Sequence, residues 1–572
     1  MHFDFLKQKL RSSSLAHYVW HWLKIVTSLD YLKQSLELKV RIKQWALSVD
    51  DLFDRPLGDG AKGVVAVFGW STFDAVLAET VVRKSAELAG YQVKVLIDPT
   101  PGNRHLYQAM GTQDIESFYS FCPLLDVSEA QRVIDGIGSS DELLAFSYDG
   151  VAVGKYVSST LMRKTRKGQI DLDLPQVRSD LVEPMAKSIN AVRGALNLIQ
   201  RCNLQKLIVI DRGYTPYGEV FDACIGANVD VVTWNMAHKD NALILKRYDQ
   251  TNYLDHPSSL SKQSWDTLVR DAWAPVKAEP DGHSISKKEG LLRTELFDAY
   301  NSGQWYGEVG TQFRKMAWKK KEIIERLDLD PSKKTAVIYS HIFWDATFFW
   351  GEDLFRDYED WFVQTVKAAC LNDNLNWLVK VHPANLVKNY RDGVHSEPAE
   401  IIALNEIVGA LPDHVKVIPA EIEFTTLSLI EATDYCLTVR GTVGIESALL
   451  GKVVITAGTG RYDRHGFTHD FESPEQYLAQ LAQLEELTAP SKEMRDLAAR
   501  YAYGVFLCRP LHFEVFDFYF QRDDLATLVT NFHHEGYETL AAVPEIKKLT
   551  DWLLRSELDY LECPNVQADQ IN

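Results

Sequence analysis

Residues 435–456 read Y-C-L-T-V-R-G-T-V-G-I-E-S-A-L-L-G-K-V-V-I-T. An apolar run, Tyr435 to Val439, stops at Arg440. An Ala/Leu-rich helical pattern occupies Gly444 to Leu450, and after Gly451 a second apolar run covers Val453 to Thr456. Two β-type runs joined through a helix require a crossover, and the crossover makes the strands parallel and buries both faces of their sheet. The alternation extends upstream through strands at Ala336–Ser340, Trp377–Val381 and Val415–Ile418, with helical patterns at Asp357–Leu371, Glu400–Leu411 and Leu427–Ala432 between them. This predicts a doubly wound sheet of about five strands.

Further upstream, Asp328–Lys334 (D-L-D-P-S-K-K) reads as a polar, Pro-containing hinge, preceded by a basic helix over Arg314–Leu327. Ahead of the hinge the same grammar returns. Val64–Phe68, a helical pattern at Phe73–Leu88 closed by Gly90, and Val93–Ile97 form one strand–helix–strand unit; Leu207–Ile210, Gly218–Ile225 and Val229–Trp234 form another. The fold class is therefore α/β, two Rossmann-like, doubly wound domains facing across a cleft, with an N-terminal helical arm and a helical C-terminal tail. A ligand is expected in the cleft. The boundaries read as 1–50 for the arm, 51–328 and 329–490 for the two domains, and 491–572 for the tail, which continues the 3.6-residue apolar spacing of Ser473–Leu487 and Ser491–Phe506.

With 572 residues, one small core is excluded, and 46% apolar with 24% charged residues is the balance of a globular protein. The net charge of −18 repels polyanions, so nucleic acid is not an expected partner. Seven scattered cysteines without a C-x-x-C pair indicate neither a disulfide framework nor a Cys-based zinc site. No secretory apolar region or membrane-spanning run is read in the sequence, which makes a cytoplasmic enzyme the expectation. Residues 1–50 differ in kind: eight Lys/Arg against four Asp/Glu give +4, and Tyr18, Trp20, Trp22, Leu23 and Ile25 surround Lys24. Such a helix suits either the headgroup region of an anionic membrane, at the inner face of the cytoplasmic membrane, or packing on the body of the protein.

Two stretches carry candidate chemistry. In W-L-V-K-V-H-P (377–383) a buried strand ends in His382-Pro383, at the sheet edge where ligands of open α/β folds sit, with Lys380 close by. An imidazole there can donate to a phosphate oxygen; a strand-end histidine capping a loop carbonyl is the other reading. In V-R-G-T-V-G-I-E-S (439–447), Gly441 and Gly444 let backbone amides approach an anion, Thr442 can cap the helix or bind phosphate, and the helix N-terminus adds partial positive charge. Glu446 is either a carboxylate stabilising the helix dipole or an acceptor for ribose hydroxyls. Neither a dinucleotide fingerprint nor a P-loop occurs. Candidates for a general base are Asp211, Glu219 and His238 in the first domain, with strand-end placement favouring Asp211 and His238, and Asp345, which with His341 follows the first strand of the second. Each also reads as a cap or turn residue. His105 and His256 read as surface-loop residues, and Phe343, Trp344, Phe348, Phe349 and Trp350 as a sugar-stacking cluster or a hydrophobic wall by the hinge.

K-V-H-P at 380–383, R-G-T-V-G-I-E-S-A-L-L-G-K-V-V-I at 440–455 and R-Y-D-R-H-G-F-T at 461–468 together resemble bacterial capsule and surface-polysaccharide biosynthesis proteins, glycosyltransferases of the GT-B fold that include Kdo transferases. The resemblance covers about residues 335–485, is weaker over 206–260, and does not reach the first 50. It implies a nucleotide-sugar donor, a glycan or glycolipid acceptor, and no separate cofactor. It further implies that His382 contacts the donor phosphate and that Thr442, Gly444, Glu446 and Ser447 line the nucleotide pocket. Arg440, standing where a small hydroxyl residue is expected, would neutralise a diphosphate or a sugar carboxylate, and Arg461 and Tyr462 would border the pocket. With no evident Asp-x-Asp metal pair at the site, leaving-group neutralisation without a metal is the expectation. An epimerase or a polyol-phosphate transferase on the same fold, or a catalytically silent scaffold, would share the cradle.

Overall fold

The structure is a computed structural model that describes residues 27–49, 61–70, 73–97, 101–278, 284–306, 315–345, 348–392, 396–521, 524–533 and 537–565. The aromatic cluster read at Tyr18 to Ile25 lies outside them.

Two sheets organise the chain. The first holds β1 (Val64–Phe68), β2 (Gln92–Leu96), β3 (Ile115–Glu116), β4 (Leu204–Val209), β5 (Asp230–Met236) and β6 (Ala242–Tyr248). After a short hairpin of β7 (Pro275–Ala278) and β8 (Ser284–Ser286), the second holds β9 (Thr335–Tyr339), β10 (Asn376–Lys380), β11 (Val415–Ile418), β12 (Tyr435–Thr438) and β13 (Val453–Thr456). A short β14 (Leu511–His512) then returns to the first sheet, and β15 (Phe516–Gln521) pairs with β16 (Asp524–Phe532) in a separate hairpin. The sheet orders are β14-β6-β5-β4-β1-β2-β3 and β11-β10-β9-β12-β13. In both, the strand order reverses beside the first strand, which is the doubly wound, Rossmann-like arrangement.

Alternation along the strands explains the layers. In the first sheet Val65, Val67, Ile208 and Trp234 pack under the helix Phe73–Leu88, while Ala66, Phe68, Leu207 and Val209 pack on the other face against the helices Pro175–Cys202 and Tyr217–Gly226. In the second, Val337, Leu378, Cys436 and Val454 face one helical layer and Ala336, Ile338, Trp377, Val379 and Leu437 the other. Both sheets are buried on both faces, as their unbroken apolar runs predict. Two Rossmann-like halves joined in this way form the GT-B arrangement.

The structure corrects three readings. The segment before the hinge packs with the second half: Leu260, Leu268, Leu292, Leu296 and Tyr300 share a core with Val337, Leu378 and Ile445, because the helices Lys262–Arg270 and Lys287–Asn301 turn apolar residues onto that sheet. The tail is not a helical segment throughout. After the helix Lys492–Tyr503 the chain crosses back, adds β14 to the first sheet, forms the β15–β16 hairpin, and buries Ile546, Leu549 and Trp552 of the helix Pro544–Leu553 against the first-half core. Cys508 and Cys563 are paired in a disulfide across this return. Of the basic arm, the helix Leu29–Val49 is described, with Leu29, Leu36 and Val40 exposed. No helix among the described residues is long and apolar enough to cross a membrane.

Candidate functional site

A cavity of about 310 Å³ opens at the carboxyl ends of the central strands of the second sheet. Ser340 and His341 follow β9 into it, Lys380 and His382 come from the end of β10, and Thr438, Gly441, Thr442 and Glu446 come from β12 and the helix Thr442–Leu449. Arg461 closes one side, and Tyr300, Trp305 and Tyr306 form an aromatic wall. A slightly larger cavity, about 350 Å³, lies between the helix Lys262–Arg270 and the C-terminal return; no strand tip of either sheet lines it.

The local chemistry favours an anion. The amide of Ala384 donates to Nδ1 of His382 at 3.2 Å, so the neutral ring carries its proton on Nε2 and is a hydrogen-bond donor there. Burial, then Lys388 and Lys380, push the His382 pKa down to about 3, which keeps that ring neutral. His341 is the complementary tautomer: the Val439 amide donates to its Nε2 at 3.3 Å, which leaves the proton on Nδ1. Gly441, in extended backbone, is the N-cap of the helix Thr442–Leu449 and offers no side chain to its first-turn amides, which face the cavity end of the helix dipole. A Cβ at Gly441 would sit 2.9 Å from Oγ1 of Thr438, the atom to which the Gly441 amide donates at 3.1 Å. The hydroxyl of Tyr339 and Nε of Arg461, both on residues of the cavity wall, are buried without hydrogen-bond partners among the described residues.

Glu446 lies on the cavity floor. Its Oε1 accepts from Trp305 Nε1 at 3.2 Å and its Oε2 from the Tyr300 hydroxyl. Burial raises its pKa to about 7 against the lowering effect of these donors. Lys380 donates Nζ to the carbonyls of Val381 and Pro419 at 2.9 and 3.0 Å, and burial, with Lys315 nearby, lowers its pKa to about 7.

The sequence-derived residues separate into groups. Lys380, His382, Gly441, Thr442, Glu446 and Arg461 meet in the cavity. Arg440 does not line it: its guanidinium pairs with Asp353 and donates to the Glu352 carbonyl at 3.1 Å, because the chain turns at Gly441 and directs the preceding side chain to the other side. Gly444 also serves a different purpose from close approach to an anion. A Cβ there would meet the Tyr462 hydroxyl at 2.1 Å, and Tyr462, itself buried outside the cavity, donates to the Gly441 carbonyl at 2.8 Å. Ser447 is buried beside Cys436 on the far side of the helix.

Asp211 and Asp345 are brought together between the halves. Asp345 accepts from Tyr214 at 2.7 Å, from Arg163 at 3.1 Å and from Lys388; burial opposes its ionisation, but these partners hold its carboxyl below the usual range. Asp211 is held by the Gly213 amide at 2.8 Å, and burial, reinforced by Asp345, raises its pKa. The charge of Asp345 acts on Asp211, and those of Asp345 and Lys388 act on His382. His238 lies apart, behind the aromatic wall: it is buried, 3.2 Å from Glu295 and packed on Trp305. His256 is a half-buried residue of the junction, its amide donating to the Gly460 carbonyl at 2.7 Å, whereas His105 is exposed but on the helix Pro101–Ala109 instead of a loop. The aromatic cluster splits into junction contacts, with Phe349 stacked on Tyr156 at 4.9 Å and Arg212 over Trp350.

Tyr300, Trp305 and Tyr306 were not legible as site residues from motif spacing. Their signal was weak but present: Y-N-S-G-Q-W-Y places three aromatics around a Gly turn at the end of a helix.

No protein-family pattern and no curated protein sequence matches the chain. Among solved structures it is similar to the Thermosulfurimonas dismutans KpsC β-Kdo 2,4-transferase, with 16% identity and a TM-score of 0.32, over 61% of this chain and 87% of that one. It is also similar to the Neisseria meningitidis UDP-GlcNAc 2-epimerase bound to UDP-GlcNAc, with 12% identity and a TM-score of 0.26, over 77% of this chain and 95% of that one. The spinosyn rhamnosyltransferase SpnG shares 10% identity at a TM-score of 0.26, over 77% of this chain and 94% of that one. The fold assignment rests on the two sheet orders themselves.

Proposed function

We propose that the protein is a glycosyltransferase that transfers a sugar from a nucleotide-activated donor, CMP-Kdo or a nucleoside-diphosphate sugar, to a glycan acceptor of a bacterial cell surface. The observation that carries this reading is the convergence of His382, the uncapped start of the helix Thr442–Leu449 and Glu446 on one cavity beneath an aromatic wall. The leaving group of such a donor is an anion. The helix amides with Arg461 on one edge of the cavity, and His382 Nε2 with Lys380 on the other, would neutralise its developing charge. The aromatic wall would take the base, and Glu446 the ribose hydroxyls. Asp211, raised by burial and by the neighbouring charge of Asp345, is the better proton acceptor of the carboxylate pair at the junction. The capsule-type acceptor rests on the motif resemblance. Peripheral contact with an anionic membrane through residues 1–50 is consistent with the exposed Leu29, Leu36 and Val40 beside Lys33, Lys39 and Arg41.

A thermal-shift series with CMP, UDP, GDP and dTDP tests the reading, because a ligand that binds only the folded state raises the midpoint. One nucleotide is expected to shift it, and His382→Ala to abolish the shift while preserving the unliganded midpoint within a few degrees. A shift unaffected by His382→Ala would remove His382 from the donor site; no shift with any nucleotide would remove the reading itself. Slow hydrolysis of the matching nucleotide sugar separates a transferase from a silent scaffold.

A further inference from the structure

Lys315 was not singled out by any motif, yet its charge reaches residues of the cavity wall. Its Nζ is enclosed and has no hydrogen-bond partner among the described residues. The backbone around it is fixed: the Met316 amide donates to the Glu423 carbonyl at 2.9 Å, the Thr425 amide to the Met316 carbonyl at 3.0 Å, and the Trp318 amide to Ser428 Oγ at 2.9 Å. Thr426, within that paired stretch, lines the cavity. The charge of Lys315 acts on both Lys380 and His382, which line the same side.

The surroundings do not neutralise this group. Glu400 accepts on Oε1 from Ser340 at 3.1 Å and Asn385 at 2.8 Å, and its charge reaches Lys380 without an ion pair among the described residues. Glu421 faces Lys315 and Lys380 at longer range, and no ion pair joins it to either among the described residues. Glu421 and Glu400 act on Lys380 and Asp345 on His382, but among the described residues none of these carboxylates is ion-paired with Lys315 or Lys380, and burying such charge without a direct partner is costly. Burial lowers the Lys315 pKa to about 8, in keeping with a charge that lacks compensation.

The other cationic edge of the cavity is the helix N-terminus at Gly441–Thr442, with Arg461. The two edges belong to β10 and β12, and β9 lies between them. Two inter-strand spacings amount to roughly 10 Å, more than one tetrahedral anion covers with hydrogen bonds of about 2.8 Å on each side. We infer that Lys315, with Lys380 and His382, forms a second anion subsite at the β10 edge of the cavity, separate from the helix N-terminus, so that the ligand carries two anionic groups. Rotation of its four-carbon stem brings the Lys315 ammonium to the ligand. The inference deepens the donor-site reading and rests on it for the identity of the ligand.

Isothermal titration of wild type and Lys315→Gln with CMP, CDP, UMP, UDP and inorganic pyrophosphate is the test. In wild type the diphosphate of the preferred base is expected to bind about tenfold or more tightly than its monophosphate. Lys315→Gln should erase that preference, leave the monophosphate within about twofold, and hold or raise the unliganded melting midpoint, since an unpaired buried charge is removed. Lys315→Arg, which keeps the charge, should retain the preference and covers the case in which the glutamine variant fails to fold. Equal loss for mono- and diphosphate, or no loss for either, overturns the subsite while leaving the donor reading intact. Pyrophosphate binding that depends on Lys315 in a protein that binds no nucleotide would keep the subsite and overturn the donor reading; absence of binding by every probe overturns both.

Discussion

Glu446 shows how one side chain can be legible in type and hidden in state. A carboxylate one turn into a helix reads equally as a dipole partner and as a ligand acceptor. Only the structure shows Trp305 and Tyr300, contributed from more than a hundred residues away, donating to its two oxygens. Its pKa of about 7, raised by burial above the ordinary carboxylate value, has a consequence for stability. Between the unfolded value near 4.5 and about 7 the folded state holds the proton that the unfolded chain releases, so stability falls as pH rises through this window and levels off above it. The full effect is on the order of 3 kcal/mol. Glu446→Gln should flatten this part of the stability–pH curve in urea titrations between pH 4 and 8 and be more stable than wild type at the upper end. The amide can satisfy the site: its oxygen accepts from Trp305, whose indole can only donate, and its nitrogen donates to Tyr300, whose hydroxyl can reverse. A variant that keeps the wild-type slope would show that Glu446 is ionised throughout.

The helix Thr442–Leu449 is the element on which the cavity depends, and its start is held in place by packing. Tyr462 donates to the Gly441 carbonyl at 2.8 Å across the face that Gly444 leaves bare. Gly444→Ala would drive a methyl to 2.1 Å from the Tyr462 hydroxyl, and overpacking of this kind costs typically 1–3 kcal/mol. A loss in that range is expected by denaturant unfolding, together with weaker nucleotide binding as the first turn shifts; unchanged binding would mean that the helix start tolerates displacement. Strand–helix alternation revealed this element and its neighbours because buried parallel strands are unbroken apolar runs, and His382 and Thr442 could be placed from strand ends alone. What Gly444 does could not be read, since a glycine that admits a distant tyrosine and one that admits an anion are spelled alike. Arg440 was misdirected for a related reason: motif spacing gives its position on the turn, whereas its direction is set by Asp353 in a separate loop. The hairpin β15–β16 was legible in principle from the alternation in F-D-F-Y-F-Q, but helical periodicity just upstream was extended over it.

At the scale of the whole molecule, the chain passes between its halves twice, once after β6 and again after the helix Lys492–Tyr503, and both passages meet at Asp559. Its Oδ1 accepts from Lys246 on β6 at 3.1 Å, and its Oδ2 accepts from the Ser261 amide at 2.6 Å, in the first passage. Arg509, in the second passage, lies 3.7 Å away and donates to the carbonyls of Pro257, Ser259 and Leu245. The side chains of Lys246, Arg509 and Asp559 are fully buried. No local sequence signal announces this arrangement, because Asp559 is some three hundred residues from Lys246 and Ser261 and each charge is unremarkable in its own segment. Burial opposes ionisation of Asp559, but Lys246 and Arg509 outweigh it and hold the carboxyl far below its ordinary value. Its contribution is therefore complete above the unfolded carboxylate range and is lost only as pH falls well below that range. Asp559→Asn keeps the volume and the Ser261 hydrogen bond but leaves two buried cations with only Asp255, 3.8 Å from Lys246, as a counter-charge. Removing one member of a buried pair costs about 3–5 kcal/mol, since the remaining charge loses its compensation. Equilibrium unfolding should show a loss of that size for Asp559→Asn, with a substantial part recovered in the double variant with Lys246→Met. A loss that the second substitution does not relieve would show that compensating Lys246 is not what Asp559 contributes, and would leave Arg509, 3.7 Å away, as the cation it serves.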